Sequence, residues 1–394
     1  MTRTVLICGA SIAGPALAYW LGRHGFHPTV VEIAPALRTG GNAVDYRGPV
    51  HLGLLERMGV LDRLREAQTG GTAMRFVDEH GRVLMEMPAD FAGGDLEVLR
   101  GDLSRILCEA SGDRTEWIFG DTITALTETT AGVDVTFRSG NRRTFDLVVG
   151  ADGVHSTVRR LAFGPERDHV RHLGYYVAGW DLPGDPGPGR DTLNYNVPGR
   201  LAAIGDGQAF VAFSSPEEIA YDRHDLDAQK RIIRDRFAGL GWEVPRLLAA
   251  LDDATDLYFD QICRVDVRPW TKGRIALVGD AASGATIGGM GNGTAVVAAY
   301  ALAGELAAAG GDHAVAFPRY EALVGDFARR AQQGGEMTGR FLAPRTARGI
   351  RMRNWLHNRA WFLRMTMKVA GDRSARIDLP DYIGLSAASP RPPR

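Results

Sequence analysis

The stretch Val5-Leu6-Ile7-Cys8-Gly9-Ala10-Ser11-Ile12-Ala13-Gly14 decides the fold. Its four leading apolar residues read as a buried parallel strand, and the small-residue turn opens a helix that runs to about Arg23. Gly25 ends the helix, Thr29-Val30-Val31 makes a second buried strand, and Glu32 closes it. Strand, glycine turn, helix, strand and acid form the dinucleotide-binding βαβ unit. Gly9 allows the tight turn. A small residue at position 11 lets backbone amides approach a pyrophosphate, and Gly14 lets helix and strand pack closely. The helix start offers unpaired N–H groups to phosphate, and Glu32 can accept hydrogen bonds from a ribose diol. The middle glycine of the usual pattern is Ser11 here. Serine is small enough to keep the approach open, and its hydroxyl can add a phosphate contact.

Composition narrows the rest. The chain has 394 residues, 45% hydrophobic and 24% charged, enough to bury two cores. A net charge of −1 gives no electrostatic case for nucleic acid or an anionic membrane. No apolar run approaches the ~20 residues that span a bilayer. The chain enters a strand almost at once, which leaves no room for a signal peptide. Cys8, Cys108 and Cys263 are scattered, with no CxxC or HxxxH spacing, so reduced core cysteines, a cytoplasmic protein and no metal site are expected.

Residues 38–48 are glycine-rich and irregular, with Arg38, Asp45 and Arg47 as candidates to face a ligand. His51 to Gln68 reads as one helix. Met74–Val77 and Arg82–Met85 read as a hairpin, and Asp146 to Gly153 as a further buried strand ending on Asp152-Gly153. Residues 171–270 alternate in strand fashion and carry many aromatics, which predicts an inserted antiparallel sheet; Tyr195, Phe210 and Phe213 are candidate pocket residues on it. Gly273–Asp280 is another buried strand. It precedes a glycine-rich loop and a long Ala/Gly helix from about Asn292 to Ala309. The basic, aromatic segment 349–369 reads as a packed C-terminal helix, and 386–394 as a disordered tail.

Three motifs in fixed order now stand together: Gly9–Gly14, Asp152-Gly153, and Gly279-Asp280-Ala281-Ala282 before a glycine loop and helix. In this the chain resembles the single-component class A flavoprotein monooxygenases of the para-hydroxybenzoate hydroxylase fold. It is nearest in look to the branch of salicylate, 6-hydroxynicotinate and urate hydroxylases and tetracycline-inactivating enzymes. The resemblance covers residues 1 to about 345. It implies an α/β fold: a Rossmann-like FAD domain (1–72, 97–170, 271–345) with an inserted sheet domain for substrate (73–96, 171–270) and a helical segment over 346–385. It implies that Gly9, Ser11, Ile12, Ala13 and Gly14 surround the FAD pyrophosphate, with Glu32 on the adenosine ribose, Ile33 and Arg38 as further cofactor contacts and Thr122 at an adenine-side backbone contact. Asp45 falls on the loop beside the flavin, and Arg100 reaches the phosphate and ribityl region. Asp152 belongs to a motif serving both FAD and pyridine nucleotide, with Arg159 bracing it. Asp280 binds the ribityl chain. The helix start near Gly289, Gly291, Asn292 and Gly293 faces the flavin's negative edge.

Two departures stand out. Ser283 replaces the His or Tyr of many members, and Ala285-Thr286-Ile287 is proline-free and one residue short. No second glycine fingerprint has strand–helix context, so NAD(P)H is expected as a transient reductant. The implied reaction adds dioxygen at flavin C4a and passes one oxygen atom to an aromatic or polyketide-like molecule, with Arg47 a candidate to hold a substrate carboxylate or phenolate. Halogenation, double-bond reduction, epoxidation and Baeyer–Villiger oxygenation are the alternatives. A monomer or homodimer without nucleic-acid or membrane partners is expected.

Overall fold

The computed structural model describes residues 3–37, 43–89, 94–185, 191–287, 291–335, 337–365 and 377–385. Arg38, Gly289 and the tail 386–394 therefore lie outside the described residues.

The opening apolar run forms the strand Thr4–Cys8, which pairs in parallel with Leu147–Gly150 on one side and His27–Glu32 on the other. The whole sheet runs Thr271–Lys272, Ile275–Leu277, Leu147–Gly150, Thr4–Cys8, His27–Glu32, Glu116–Phe119. Near-continuous apolar strands need cover on both faces. The helices Ala13–Arg23, Arg100–Ser111 and Gly291–Ala308 supply one layer. The last is buried along almost its whole length, and its small residues allow the close approach. A three-stranded antiparallel meander, Ile123–Glu128, Val133–Phe137 and Arg142–Phe145, adds Val133, Val135, Phe137 and Phe145 to the same core.

The second sheet has seven strands, in the order Leu257–Val265, Val170–Asp181, Gln208–Ser214, Arg200–Gly205, Thr192–Val197, Met74–Val77, Val83–Met87. It is mixed rather than purely antiparallel, because Met74–Val77 pairs in parallel with Thr192–Val197. The hairpin from the 70s and 80s thus extends the sheet formed by 170–265. Side-chain alternation splits the sheet into two faces. The outer face, with Tyr176, Trp180, Tyr195, Val211 and Phe213, packs on the helices Leu226–Phe237 and Val244–Asp253. The inner face carries Phe76, Val177, Leu201, Phe210 and Ala212, and meets Ile287, Phe341 and Leu342.

Local structure departs from the sequence reading in three places. His51–Gln68 is two helices, Gly48–Arg57 and Leu61–Glu66, because Gly59 turns into the left-handed region at φ +72°. Residues 43–46 are a strand paired with Leu96–Leu99, not loop. The C-terminal helix spans Ala347–His357 and breaks at Asn358-Arg359 before a second helical turn. Its inward side carries Arg353, 7% exposed, bonded to Asn196, Asn354 and the Phe341 carbonyl and lying 4.2 Å from the Phe76 ring centroid. Burial lowers its pKa to about 10. Farther on, Tyr382 packs against Gly304 and donates to Glu305, tying 377–385 onto the first unit.

Candidate functional site

The turn after the first strand is shaped for a close ligand approach. Gly9 has φ +107°, and a Cβ there would lie 2.5 Å from the Ala151 carbonyl oxygen. A Cβ on Gly14 would sit 1.9 Å from the Gly9 carbonyl oxygen, so only glycine lets the helix begin this close to the strand. Ile12 and Ala13 are buried under the turn, and no side chain caps the helix Ala13–Arg23. Its first N–H groups are left for an anion. Glu32 accepts from Ala10 N–H at 2.8 Å and from Ala34 N–H at 3.0 Å. The carboxylate is thereby locked against the turn, with lone pairs remaining for a diol. Ile33 beside it is 52% exposed.

Arg100 opens the helix Arg100–Ser111 and donates from Nε to Ser11 Oγ at 3.2 Å. Asp280 starts the short helix Asp280–Ser283 after Gly279, which stands at φ +63°. Burial pushes the Asp280 carboxyl above the usual carboxylate range, and the Arg100 charge pulls it partly back. Among the described residues the Asp280 side chain accepts no protein hydrogen bond. A Cβ on Gly291 would stand 3.0 Å from Asp280 Oδ1, so this carboxylate abuts the start of the 18-residue helix at Gly291, Asn292 and Gly293. A diol acceptor, an uncapped helix start, a guanidinium and an unpartnered carboxylate thus follow one another from Glu32 to Gly293. This donor set and its glycine cradle fit FAD. Among the described residues, no group of three or more His, Cys, Asp or Glu side chains could hold a metal.

Several expected site residues are spent inside the protein. Asp152 accepts from Ser156 Oγ, Thr157 N–H and Val158 N–H, anchoring the helix Thr157–Ala162. Burial raises its carboxyl and these donors oppose the rise. Arg159, fully buried, donates to the carbonyls of Val154 and Ala281, and so braces this turn against the Asp280 segment. The backbone of Thr122 is engaged at both ends, by Asp121 and by Arg138 N–H. Arg47 is paired with Asp45 at 2.7 Å, so its charge is not available undiluted to a substrate anion. Tyr195 and Phe213 stand on the outer face of the sheet, Tyr195 against Trp242 and Phe213 against Phe237. They are core residues, because the strand period turns them away from the cleft. Phe210, three residues before Phe213, points to the inner face.

That face also carries Tyr258, which sequence reading missed. Tyr258 pairs across Gly179 with Phe210, and Phe210 with Ala203. The ring is 41% exposed, yet burial dominates in raising the phenol's pKa, and the charges of Asp260, Arg100 and Asp280 reach it. Tyr258 is thus a partly exposed tyrosine within electrostatic reach of the Arg100–Asp280 segment. No periodicity marks it, since Tyr258 and its neighbour Phe259 differ only in which face they take. The short 284–287 segment is pinned beside this sheet. Thr286 Oγ donates to the Gln261 carbonyl at 2.8 Å, Val265 N–H donates to the Gly284 carbonyl at 2.9 Å, and Ile287 borders the same apolar cluster as Phe210. The proline-free loop is thus zipped to the seven-stranded sheet.

The chain's relatives agree with this geometry. The family profile described as FAD binding domain matches residues 2–172. A flavin-dependent monooxygenase of Legionella longbeachae is 37% identical over 342 residues, covering 84% of this chain and 87% of that protein. The crystal structure of tetracycline destructase Tet(51) is 33% identical, with a TM-score of 0.84, covering 97% of this chain and all of that one. The FAD complex of a Klebsiella pneumoniae HpxO point variant, at 21% identity and a TM-score of 0.72, covering 95% of this chain and 99% of that one, shares the fold. An uncapped βαβ turn facing Arg100 and Asp280, in a chain so closely related to flavin-dependent monooxygenases, makes this protein a member of the class A FAD-dependent monooxygenases of the para-hydroxybenzoate hydroxylase fold.

Proposed function

We propose that this flavoprotein monooxygenase draws its electrons from NADH or NADPH and oxygenates a fused-ring, phenolic or enolic small molecule of tetracycline-like or polyketide-like chemistry. The observation that carries the substrate class is the inner sheet face, where Tyr258 and Phe210 stand on neighbouring positions either side of Gly179 and present aromatic surface, with Ile287 in the same apolar cluster as Phe210. The relationship to a tetracycline destructase supports it.

Bound at this site, FAD supplies the reducing and oxygen-activating chemistry. The chain's residues hold and orient. Backbone N–H groups from Ser11 to Gly14 and the Arg100 guanidinium would take the pyrophosphate, Glu32 would take the ribose diol, and Asp280 would accept from ribityl hydroxyls. The N–H groups of Gly291–Gly293 would offer fixed dipoles to negative charge on the bound flavin, an arrangement that needs no reorganisation. Tyr258 donates a hydrogen bond to a substrate oxygen, Phe210 and Ile287 sandwich the ring, and the pinned 284–287 loop keeps water out. Residues 1–72, 97–170 and 271–345 form the FAD unit, and 73–96 with 171–270 the substrate unit.

The test is a panel of tetracyclines, polyketide phenols and simple hydroxybenzoates, scored for NADH and NADPH consumption, peroxide release and product mass. One added oxygen atom on a fused-ring compound supports the reading. Stimulated consumption that yields only peroxide would mark that compound as an effector. Turnover of simple hydroxybenzoates alone would overturn the substrate class.

A further inference from the structure

We propose that the C-terminal helical segment is a docking surface for anionic lipid. The charge pattern is the first observation. Residues 337–371 hold eight Lys or Arg and no Asp or Glu, in a chain whose net charge is −1. The second observation is what the helix Ala347–His357 presents to water. Arg348, Arg351, Met352 and Trp355 are exposed and fall on one stripe at helical spacing, exposed Arg359 follows just past the helix end, and Arg353 and Asn354 face inward. Met352 is 62% exposed and Trp355 56%; Trp361 and Met365 on the next turn are 59% and 48%. The Arg359 guanidinium lies 4.9 Å from the Trp355 ring centroid, which holds the indole on the surface.

The apolar area continues onto the sheet. Asn358 Nδ2 donates to the Leu84 carbonyl at 2.9 Å, joining the segment to the edge strand Val83–Met87. Val83 and Leu84 there are 51% and 46% exposed. The packed C-terminal helix expected from sequence is therefore packed on one side only.

Apolar and indole groups rimmed by arginines mark an interaction site. The charge decides the partner. A two-fold contact with a second copy would press one cationic stripe on another. An anionic bilayer surface neutralises the arginines, takes Trp and Met into the headgroup boundary and lets arginine side chains reach up to phosphate. Among the described residues no helix is long and apolar enough to cross a membrane, so the contact is peripheral.

The experiment is co-sedimentation of the FAD-loaded full chain with phosphatidylglycerol–phosphatidylcholine vesicles and with phosphatidylcholine vesicles. Binding to the anionic vesicles only, released by high salt, is expected. Neutralising Arg348→Gln and Arg359→Gln each lowers the partition coefficient about fivefold. The Trp355→Ser/Trp361→Ser variant lowers it further, with flavin content and melting temperature unchanged as proof of folding. The proposal fails if the wild type ignores anionic vesicles at low salt, or if both sets of variants bind as the wild type does. It fails equally if sedimentation velocity shows a dimer that Trp355→Ser/Trp361→Ser splits, which would assign the surface to a second copy.

Discussion

Asp280 and Arg100, proposed to hold the same ligand, come from different helices, and each is placed by a small neighbour. Gly291 leaves room for the Asp280 carboxylate, and the Ser11 hydroxyl receives Arg100. Charged hydrogen bonds of this kind contribute about 1.5–3 kcal/mol, so Asp280→Ala or Arg100→Ala should weaken FAD binding roughly ten- to a hundredfold. Flavin fluorescence titration measures it, and a variant that purifies with full flavin would lose its assigned role. Gly14→Ala tests the cradle itself. Its methyl would meet the Gly9 carbonyl at 1.9 Å. Overpacking there should destabilise the fold by about 1–3 kcal/mol and deplete bound flavin. Urea denaturation and the flavin-to-protein absorbance ratio report the two effects separately.

At the scale of elements, one connection joins the two units and another straps the C-terminal segment onto the first. His155 follows the Asp152-Gly153 turn and lies 2.9 Å from Glu166 and 3.3 Å from Asp260 on the strand Leu257–Val265. Hydrogen bonds to Asp260 and then Glu166 raise its pKa to about 9. A raised folded-state pKa means the clasp stabilises fully below the ordinary histidine value of about 6.5 and is lost as pH climbs through about 9. Melting temperature should therefore fall between neutral pH and mildly alkaline pH. The His155→Ala variant should melt lower at pH 6 and show a shallower slope; parallel curves would refute the clasp. The other connection is the strap Ile377–Leu385. Tyr382 is 2% exposed, its backbone N–H donates to Tyr300 at 3.0 Å, and the Leu385 carbonyl meets His24 at 2.8 Å. Tyr382→Ala should cost about 3–5 kcal/mol by equilibrium unfolding, and Tyr382→Phe only about 1.

For the molecule as a whole, the proposed substrate site lies where two sheets of different kinds meet. One presents backbone N–H groups and carboxylates, the other Tyr258 and Phe210. Tyr258 stands on the second sheet and feels the charges of Arg100 and Asp280 from the first unit. Tyr258→Phe should raise KM for a turned-over tetracycline about two- to tenfold, as expected for a lost neutral hydrogen bond. Flavin content should not change, which separates a substrate contact from a folding defect. An unchanged KM would remove Tyr258 from the substrate wall.

The chain itself determines the nucleotide half of this protein. Gly9, Gly14, Glu32 and the Gly279-Asp280 turn are local devices, each readable because strand, turn and helix follow within a few residues. Burial of whole strands also makes the α/β character legible in continuous apolar runs. The substrate half is decided by tertiary structure. Whether Tyr195, Phe210, Phe213 or Tyr258 faces the cleft depends on strand register, where one residue's shift exchanges the faces. The parallel pairing of Met74–Val77 with Thr192–Val197 joins residues more than a hundred positions apart, which no local pattern encodes. Asp152, Thr122 and Arg47 carry the right chemistry for ligand contact, but caps and ion pairs formed only in the folded chain absorb it. Backbone turns answer to neighbours in sequence; side-chain direction and free hydrogen-bonding capacity answer to neighbours in space.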